Sequence, residues 1–142
     1  MKYYLDTSIA VSLLSEETNS EIAIAWMENQ QARDITTSYW LVTEFHAALA
    51  RKRRKGVITD LEFAGAIAAF SRTLLPLITF VDISQKDFQL AADICRQHSV
   101  GLRGPDALHL AVSISNDATL ATLDKAFAAG ALALGYKAHA LI

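Results

Sequence analysis

The sequence predicts an α/β fold in which a short, mostly parallel central sheet carries helices on both faces. Short runs of β-branched and aromatic residues alternate along the chain with longer segments of helical periodicity, which is typical of parallel sheets. Capping residues, Gly and Pro separate these segments. The sequence contains no internal repeat, linker or low-complexity stretch, so we expect one domain over residues 1–142.

The first strand is predicted at the start of the chain, where residues 1–5 form an aromatic and aliphatic run. The run stops at Asp6, and the apolar pattern of a helix continues through residues 9–14. Thr18 and Glu21 have the spacing of a capping box, which predicts a second helix from that point. The chain therefore begins as a strand followed by two helices.

The sequence predicts two helices and two strands in the middle of the chain. A strand is expected at residues 35–37, and Ser38 is a candidate cap for a long helix from Tyr39 to about Arg54. Gly56 ends that helix. The next helix begins at a second capping box, Thr59 to Glu62, and runs toward Pro76. A strand is expected after it at residues 77–81.

In the last third of the chain the sequence predicts three helices and two strands. Ser84 and Asp87 form a further capping box, and its helix fades near residues 99–101. Gly104 and Pro105 precede a helix from Asp106 to about Ser115, because Pro is well tolerated in a first helical turn. The remaining segments are a strand at residues 118–122, a short Ala-rich helix, and a weak strand near residues 136–140.

Bulk properties place limits on the class of protein. A chain of 142 residues buries roughly 68–70 % of its unfolded surface, so it needs no disulfide or structural metal. The single Cys95 excludes an intramolecular disulfide, and its apolar helical surroundings predict a buried thiol. Because no segment approaches the ~20 apolar residues of a membrane span and no signal-peptide pattern is present, we expect a soluble cytoplasmic protein without a membrane partner.

Four carboxylates stand out by their positions. Asp6 and Asp124 each end a predicted strand, so both are expected at the same edge of a parallel sheet. Asp106 lies in a first helical turn, where free N–H groups favour an anion, and Glu44 lies among apolar residues in the body of the long helix. Each also fits a structural role, the aspartates as caps or first-turn acids and Glu44 as a solvated helix residue.

The chemistry of these side chains depends on whether they converge. Carboxylates a few ångströms apart cannot all stay ionised without raised pKa values or an intervening cation. Oxygen ligands without Cys, and without His at the strand ends, suit Mg²⁺ or Mn²⁺. Such an ion lowers the pKa of water and neutralises a phosphodiester in the transition state. The prediction is metal-assisted phosphodiester hydrolysis.

Four segments together resemble the acidic motifs of PIN-domain ribonucleases, and most of all those of VapC toxins from toxin–antitoxin pairs. The segments are Leu-Asp-Thr-Ser at 5–8, Thr-Glu-Phe at 43–45, Pro-Asp-Ala-Leu-His-Leu-Ala at 105–111 and Thr-Leu-Asp at 122–124. The resemblance covers essentially the whole chain. It implies a PIN-like three-layer α/β/α sandwich and an endoribonuclease that leaves a 5′-phosphate and a 3′-hydroxyl.

The resemblance also implies roles for individual residues. Asp6 and Asp106 would be the central ligands of Mg²⁺ or Mn²⁺, Glu44 would hold the ion or its water, and Asp124 would complete the pocket. Hydroxyl groups near the strand ends would support these carboxylates: Thr7 or Ser8 beside Asp6, and Thr122 near Asp124. No further acid follows Asp124 closely, which leaves one or two ions open. A homodimer and a cognate VapB-type antitoxin are the implied partners.

Candidate RNA contacts come from five consecutive cations at 51–55, which end the Glu44 helix. They fit either a solvated helix end that compensates the dipole or a phosphate-binding edge. Arg51 follows Glu44 by seven residues and so shares its helix face, which makes it the first candidate for an RNA backbone contact; Arg103 is the second. His109 is expected to be a buried, hydrogen-bonded residue rather than a metal ligand.

Three alternatives remain beside the toxin. One is a PIN nuclease with a housekeeping role in RNA processing. Another is a non-catalytic RNA- or protein-binding module, in which the acids act only as caps. The net charge of −2 argues against a generally basic nucleic-acid coat but allows a local patch. A receiver-type phosphotransfer domain is the weakest alternative, because the acids are too dispersed and no late-strand lysine follows the expected pattern.

Overall fold

The computed structural model describes residues 1–142 and shows seven helices around one five-stranded parallel sheet. The strands are β1 (Tyr3–Leu5), β2 (Ile35–Ser38), β3 (Thr79–Val81), β4 (Thr119–Thr122) and β5 (Ala138–Ala140). The helices are α1 (Thr7–Leu14), α2 (Ser20–Glu28), α3 (Tyr39–Arg54), α4 (Asp60–Ala69), α5 (Gln85–Arg96), α6 (Gly104–Ser115) and α7 (Lys125–Ala133). A π-helical turn over Phe70–Leu74 extends α4.

The strand order β3-β2-β1-β4-β5 creates a switch point beside β1. The chain runs outward from β1 through β2 to β3, then crosses to β4 on the opposite side of β1 and continues to β5. All four strand pairs are parallel, so all carboxyl ends lie along one edge. In open α/β sheets ligands bind where the winding direction reverses, here between the ends of β1 and β4.

Two hydrophobic cores lie on opposite faces of the sheet. The first contains Leu5 together with residues of α1 to α4, and the second contains Tyr4 together with residues of α5 to α7. Neighbouring residues of β1 enter different cores because side chains alternate across a strand. The predicted arrangement of a parallel sheet between two helical layers is confirmed.

Several predicted boundaries match the structure. The long helix spans Tyr39–Arg54. The capping boxes that begin at Thr59 and Ser84 are both formed, each with its reciprocal pair of hydrogen bonds. None of the seven helices has the combination of length and apolar character that a bilayer crossing requires.

The capping box predicted at Thr18 and Glu21 is wrong. Helix α2 starts at Ser20, and its N-cap Asn19 makes no side-chain capping bond. Glu21 is therefore the second helical residue and cannot close a box from the third position. The turn is instead fixed by the Ser20 hydroxyl, which accepts from the Glu17 N–H at 2.8 Å.

Two other expectations are also corrected. Ser38 occupies the N-cap position of α3 but makes no capping bond, because its hydroxyl contacts the Tyr4 hydroxyl at 2.7 Å. Cys95 is exposed rather than buried. Helix α5 buries a narrow stripe through Asp87, Ala91 and Ile94, and Cys95 falls just outside that stripe.

Candidate active site at the carboxyl edge of the sheet

A pocket of about 810 Å³ lies at the carboxyl ends of β1 and β4. All four predicted carboxylates line it, and so do the two predicted RNA contacts: Asp6, Glu44, Asp106, Asp124, Arg51 and Arg103. In total five acidic and three basic side chains line the pocket, so its formal charge is negative. The fold thus brings together residues that are up to 118 positions apart in the sequence.

Asp6 directly follows β1 and is only 5 % exposed. Its backbone N–H donates to the Ala121 carbonyl at 3.0 Å, which extends the pairing of β1 with β4. Asp6 stands at the N-cap position of α1 but makes no side-chain capping bond. Its Oδ2 instead accepts hydrogen bonds from Ser8 and Thr122, both at 2.7 Å, so the carboxylate serves the pocket and not the helix end.

The Thr122 hydroxyl joins the ends of β1 and β4. It is fully buried, donates to Asp6 Oδ2, and accepts from the Asp124 N–H at 3.0 Å. The Ser8 hydroxyl makes a second link by accepting from the Leu123 N–H at 3.1 Å. These two hydroxyls fix the backbone after each strand and thereby the separation of the carboxylates that follow them.

Asp124 combines a capping role with its place in the pocket. Its Oδ1 accepts from the Phe127 N–H at 3.0 Å and caps α7. Its Oδ2 makes no hydrogen bond, and the residue still lines the pocket. The capping explanation and the site explanation are therefore compatible for this residue, because they use different oxygens.

Glu44 enters the pocket from the body of α3. Its Oε1 accepts from the Thr7 hydroxyl at 2.7 Å and also contacts His109 Nε2. Thr7 therefore supports Glu44 directly rather than Asp6. Burial acts to raise the pKa of Glu44, but hydrogen bonding to His109, the His109 charge and the Thr7 hydroxyl outweigh it, so the pKa is lowered. Glu44 is ionised at neutral pH.

Asp106 lies in the first turn of α6, directly after Pro105. Burial, reinforced by the charges of Asp6 and Asp124, raises its pKa to about 6, although Arg103 acts in the opposite direction. Arg103 Nη2 is 3.6 Å from Asp106 Oδ2, and the Arg103 side chain is 80 % exposed, so this contact is weak. The ionised form of Asp106 is therefore disfavoured first by burial and then by the neighbouring carboxylates Asp6 and Asp124.

The donor set of the pocket is suited to a hard divalent cation. Asp6, Glu44 and Asp124 each commit one carboxylate oxygen to hydrogen bonds and leave the other without a partner. No buried side-chain oxygen lacks a hydrogen bond, so these unpaired oxygens are accessible from the pocket. No three His, Cys, Asp or Glu side chains are already arranged to hold a metal ion. Oxygen ligands of this kind suit Mg²⁺ or Mn²⁺.

The basic run at 51–55 separates into two groups. Lys52 donates to Ser15 and Glu17, and Arg53 pairs with Asp60, so these two side chains stabilise the scaffold. Arg51 lines the pocket, and Arg54 and Lys55 are exposed without an ion pair. Two cations of the run are thus engaged in contacts within the protein, and phosphate binding stays a prediction for Arg51.

Sequence reasoning missed the polar residues behind Glu44. His109 was predicted to be buried and hydrogen-bonded, and it is fully buried, but its contact with Glu44 was not anticipated. Tyr4, which contacts His109 Nδ1, and Ser38, which contacts Tyr4, were assigned only to a strand and a cap. The available signal was the position of His109 three residues after Asp106, on the same helix face.

Comparisons with known proteins bear on the family and the fold of the chain. A family model described as PIN domain matches residues 3–131. FitAcB from Neisseria gonorrhoeae has a TM-score of 0.75 at 17 % identity, with 98 % of this chain and 97 % of that chain covered. VapBC2 from Rickettsia felis, bound to a promoter DNA fragment, has a TM-score of 0.71 at 18 % identity, with coverages of 99 % and 98 %.

A third similar structure is VapC20 from Mycobacterium tuberculosis, described as a toxin that cleaves the sarcin–ricin loop. Its TM-score is 0.70 at 17 % identity, with 90 % of this chain and 94 % of that chain covered. No curated protein sequence matches the chain. At these identities the three structures establish a shared fold.

Proposed function

The chain belongs to the PIN domain family, and from this premise we propose that it is a Mg²⁺- or Mn²⁺-dependent endoribonuclease, the toxin of a VapBC-type toxin–antitoxin pair. One observation carries the proposal: four carboxylates from four separate segments line a single pocket at the switch point of the sheet. Capping alone does not explain this convergence, because Asp6 and Glu44 cap no helix. Residues 1–142 act as one catalytic domain in this proposal.

The carboxylates would bind the divalent ion through their accessible oxygens. Asp6 and Asp106 would be the central ligands, with Glu44 and Asp124 on either side. When bound, the ion lowers the pKa of water and neutralises charge on the scissile phosphate. A bound cation would also offset the burial and the repulsion from Asp6 and Asp124 that together raise the pKa of Asp106 to about 6.

Cationic side chains at the pocket supply the contacts to the substrate. Arg51 and Arg103 line the pocket and reach toward the same space as the carboxylates. Each would bind a phosphate of the RNA backbone and so place the scissile bond beside the acids. Arg54 and Lys55 would continue this track beyond the pocket. RNA as the substrate class is supported by these cations together with the likeness to VapC20, which is described as cleaving the sarcin–ricin loop.

A VapB-type antitoxin and a second copy of the chain are the proposed protein partners. One similar structure, from Klebsiella pneumoniae, is described as a toxin–antitoxin complex. Large apolar side chains exposed on α2, on α4 and just before α4 are candidate contacts for such partners: Ile22, Ile24, Val57 and Leu61. The proposed place of action is the cytoplasm, where the RNA substrate and the antitoxin occur together.

The test is parallel expression of wild type, Asp6→Asn and Asp82→Asn, with sequencing of new 5′-phosphate RNA ends. Asp82 is an exposed acid outside the pocket and is the matched control. We expect growth arrest and discrete new ends from wild type and Asp82→Asn only. With purified protein, EDTA should abolish cleavage and Mg²⁺ or Mn²⁺ should restore it.

The outcomes separate the proposal from its alternatives. Equal effects from wild type and Asp6→Asn would reject catalysis and favour a binding module. A different result is that new RNA ends depend on Asp6 but lie only at maturation sites of stable RNA, with no growth arrest. That result would favour an RNA-processing nuclease over a toxin. Asp6-dependent cleavage with growth arrest that a co-expressed upstream partner relieves would support the full proposal.

A further inference from the structure

A chain of polar side chains runs from the interior of the sheet to the pocket. Ser38, Tyr4 and His109 are all fully buried, and they come from β2, β1 and α6. Tyr4 Oη lies 2.7 Å from Ser38 Oγ and 2.8 Å from His109 Nδ1. The other ring nitrogen of His109, Nε2, contacts Glu44 Oε1 at the pocket.

The hydrogen-bonding capacities of these groups determine which of them donates to Glu44. An ionised carboxylate only accepts, so His109 Nε2 carries a proton and donates to Glu44. In a neutral imidazole Nδ1 accepts from the Tyr4 hydroxyl, and in an imidazolium Nδ1 donates to it. The Nε2–H donates to Glu44 in both protonation states. Both ring nitrogens are occupied, so His109 has none left for a metal ion.

These contacts determine which oxygen Glu44 presents to the pocket. Oε1 receives hydrogen bonds from both His109 and Thr7, whereas Oε2 receives none. The terminal torsion of a Glu side chain is otherwise broad. Two donors on one oxygen fix the plane of the carboxylate and leave Oε2 as the accessible oxygen.

We propose that His109 and Tyr4 are positioning residues that hold Glu44 with Oε1 turned into the protein and Oε2 turned into the pocket. The inference rests on the proposed function, in which Glu44 binds a divalent ion or its water. Removing partners that orient metal ligands typically costs about 10- to 100-fold in metal affinity. A purely structural role would not require the polar chain to end on a carboxylate of the pocket.

The first test reads the position of the proton on His109 in the metal-free wild-type protein. Two-bond ¹H–¹⁵N correlation spectra distinguish the two ring nitrogens, and the His109 signals are assigned by their absence from His109→Gln. We expect Nε2 to be protonated. A neutral ring with its proton on Nδ1 would overturn the inference, because Nε2 could then donate nothing to Glu44. This measurement needs no folded variant of Tyr4.

The second test compares Mn²⁺ affinity by calorimetry across two matched pairs. Tyr4→Phe and His109→Leu should bind Mn²⁺ about 10-fold or more weakly, as expected when an orienting partner is lost. Tyr3→Phe should match wild type, because Tyr3 packs against Trp26 outside the polar chain. His109→Gln should retain more affinity than His109→Leu, since its amide N–H replaces the lost donor.

The outcomes distinguish this inference from the proposed function. Equal Mn²⁺ affinity in all folded variants would overturn the positioning role while leaving a metal-dependent nuclease intact. A wild type that binds no Mn²⁺ would instead contradict the proposed function. In that case the protonation of His109 still decides whether the polar chain holds Glu44.

Discussion

Replacing Asp106 with Asn should stabilise the metal-free protein at pH 7 while abolishing RNA cleavage. Burial and the charges of Asp6 and Asp124 raise the pKa of Asp106 to about 6, so the ionised side chain is unfavourable in the folded state. Asn has nearly the same shape and carries no charge. The substitution therefore removes the repulsion together with a proposed metal ligand.

The sign of the effect follows from proton linkage. Because the pKa of Asp106 is 3.8 in its ordinary state and about 6 in the folded protein, the folded state binds more protons between these pH values. The contribution of Asp106 to the free energy of unfolding therefore falls as the pH rises from about 4 to about 6. Asp106→Asn lacks this fall.

The magnitude can be bounded from the same values. A pKa raised from 3.8 to about 6 corresponds to about 3 kcal/mol, at about 1.4 kcal/mol for each tenfold change. The side chain retains 18 % exposure at an open pocket, so solvent screening reduces the expected gain to about 1–2 kcal/mol. The gain should be close to zero near pH 4 and fully developed at pH 7.

The assay is urea-induced unfolding in the presence of EDTA at a series of pH values, with Asp82→Asn as the control. A saturating divalent ion should make wild type the more stable of the two proteins. At about 100 times its dissociation constant the ion stabilises the protein that binds it, here wild type, by about 2.7 kcal/mol. If Asp106→Asn is no more stable than wild type at pH 7, or if the difference does not vary with pH, then burial and the neighbouring carboxylates do not disfavour the ionised form of Asp106.

Three further substitutions test other contacts of the site. Thr122→Val keeps the side-chain shape but leaves Asp6 Oδ2 and the Asp124 N–H each short of a partner, so thermal unfolding should show a loss of about 1–3 kcal/mol. Arg51→Ala should weaken binding of the inactive protein to RNA and lower the slope of log affinity against log salt by about 1, whereas Arg53→Ala should leave that slope unchanged. Thr59→Ala removes the capping box of α4 and should lower the free energy of unfolding by about 1 kcal/mol, with cleavage of RNA unaffected. A loss of cleavage would show that α4 contributes to the site.

Local patterns in the sequence were sufficient for most of the secondary structure. The long helix from Tyr39 and the capping boxes at Thr59 and Ser84 depend on contacts within a few residues, and all three were predicted. The failed expectations at Thr18 and Ser38 involve competition between a local pattern and other contacts, whereas Cys95 lies outside the narrow stripe that α5 buries. Ser38, for example, bonds to Tyr4 on the neighbouring strand instead of capping its own helix.

The sequence by itself determined the class of fold, and its four acidic motifs indicated the PIN family. Strand ends and helix starts also placed Asp6, Asp124 and Asp106 by local rules, whereas Glu44 was singled out only by its apolar neighbours and by the family resemblance. Only the tertiary structure decided which oxygen of each carboxylate is free and which residues hold it. The hydrogen bonds from Thr122 to Asp6 and from His109 to Glu44 cross 116 and 65 positions of sequence. No periodicity encodes such partners, since they meet only after β1 has taken its place between β2 and β4.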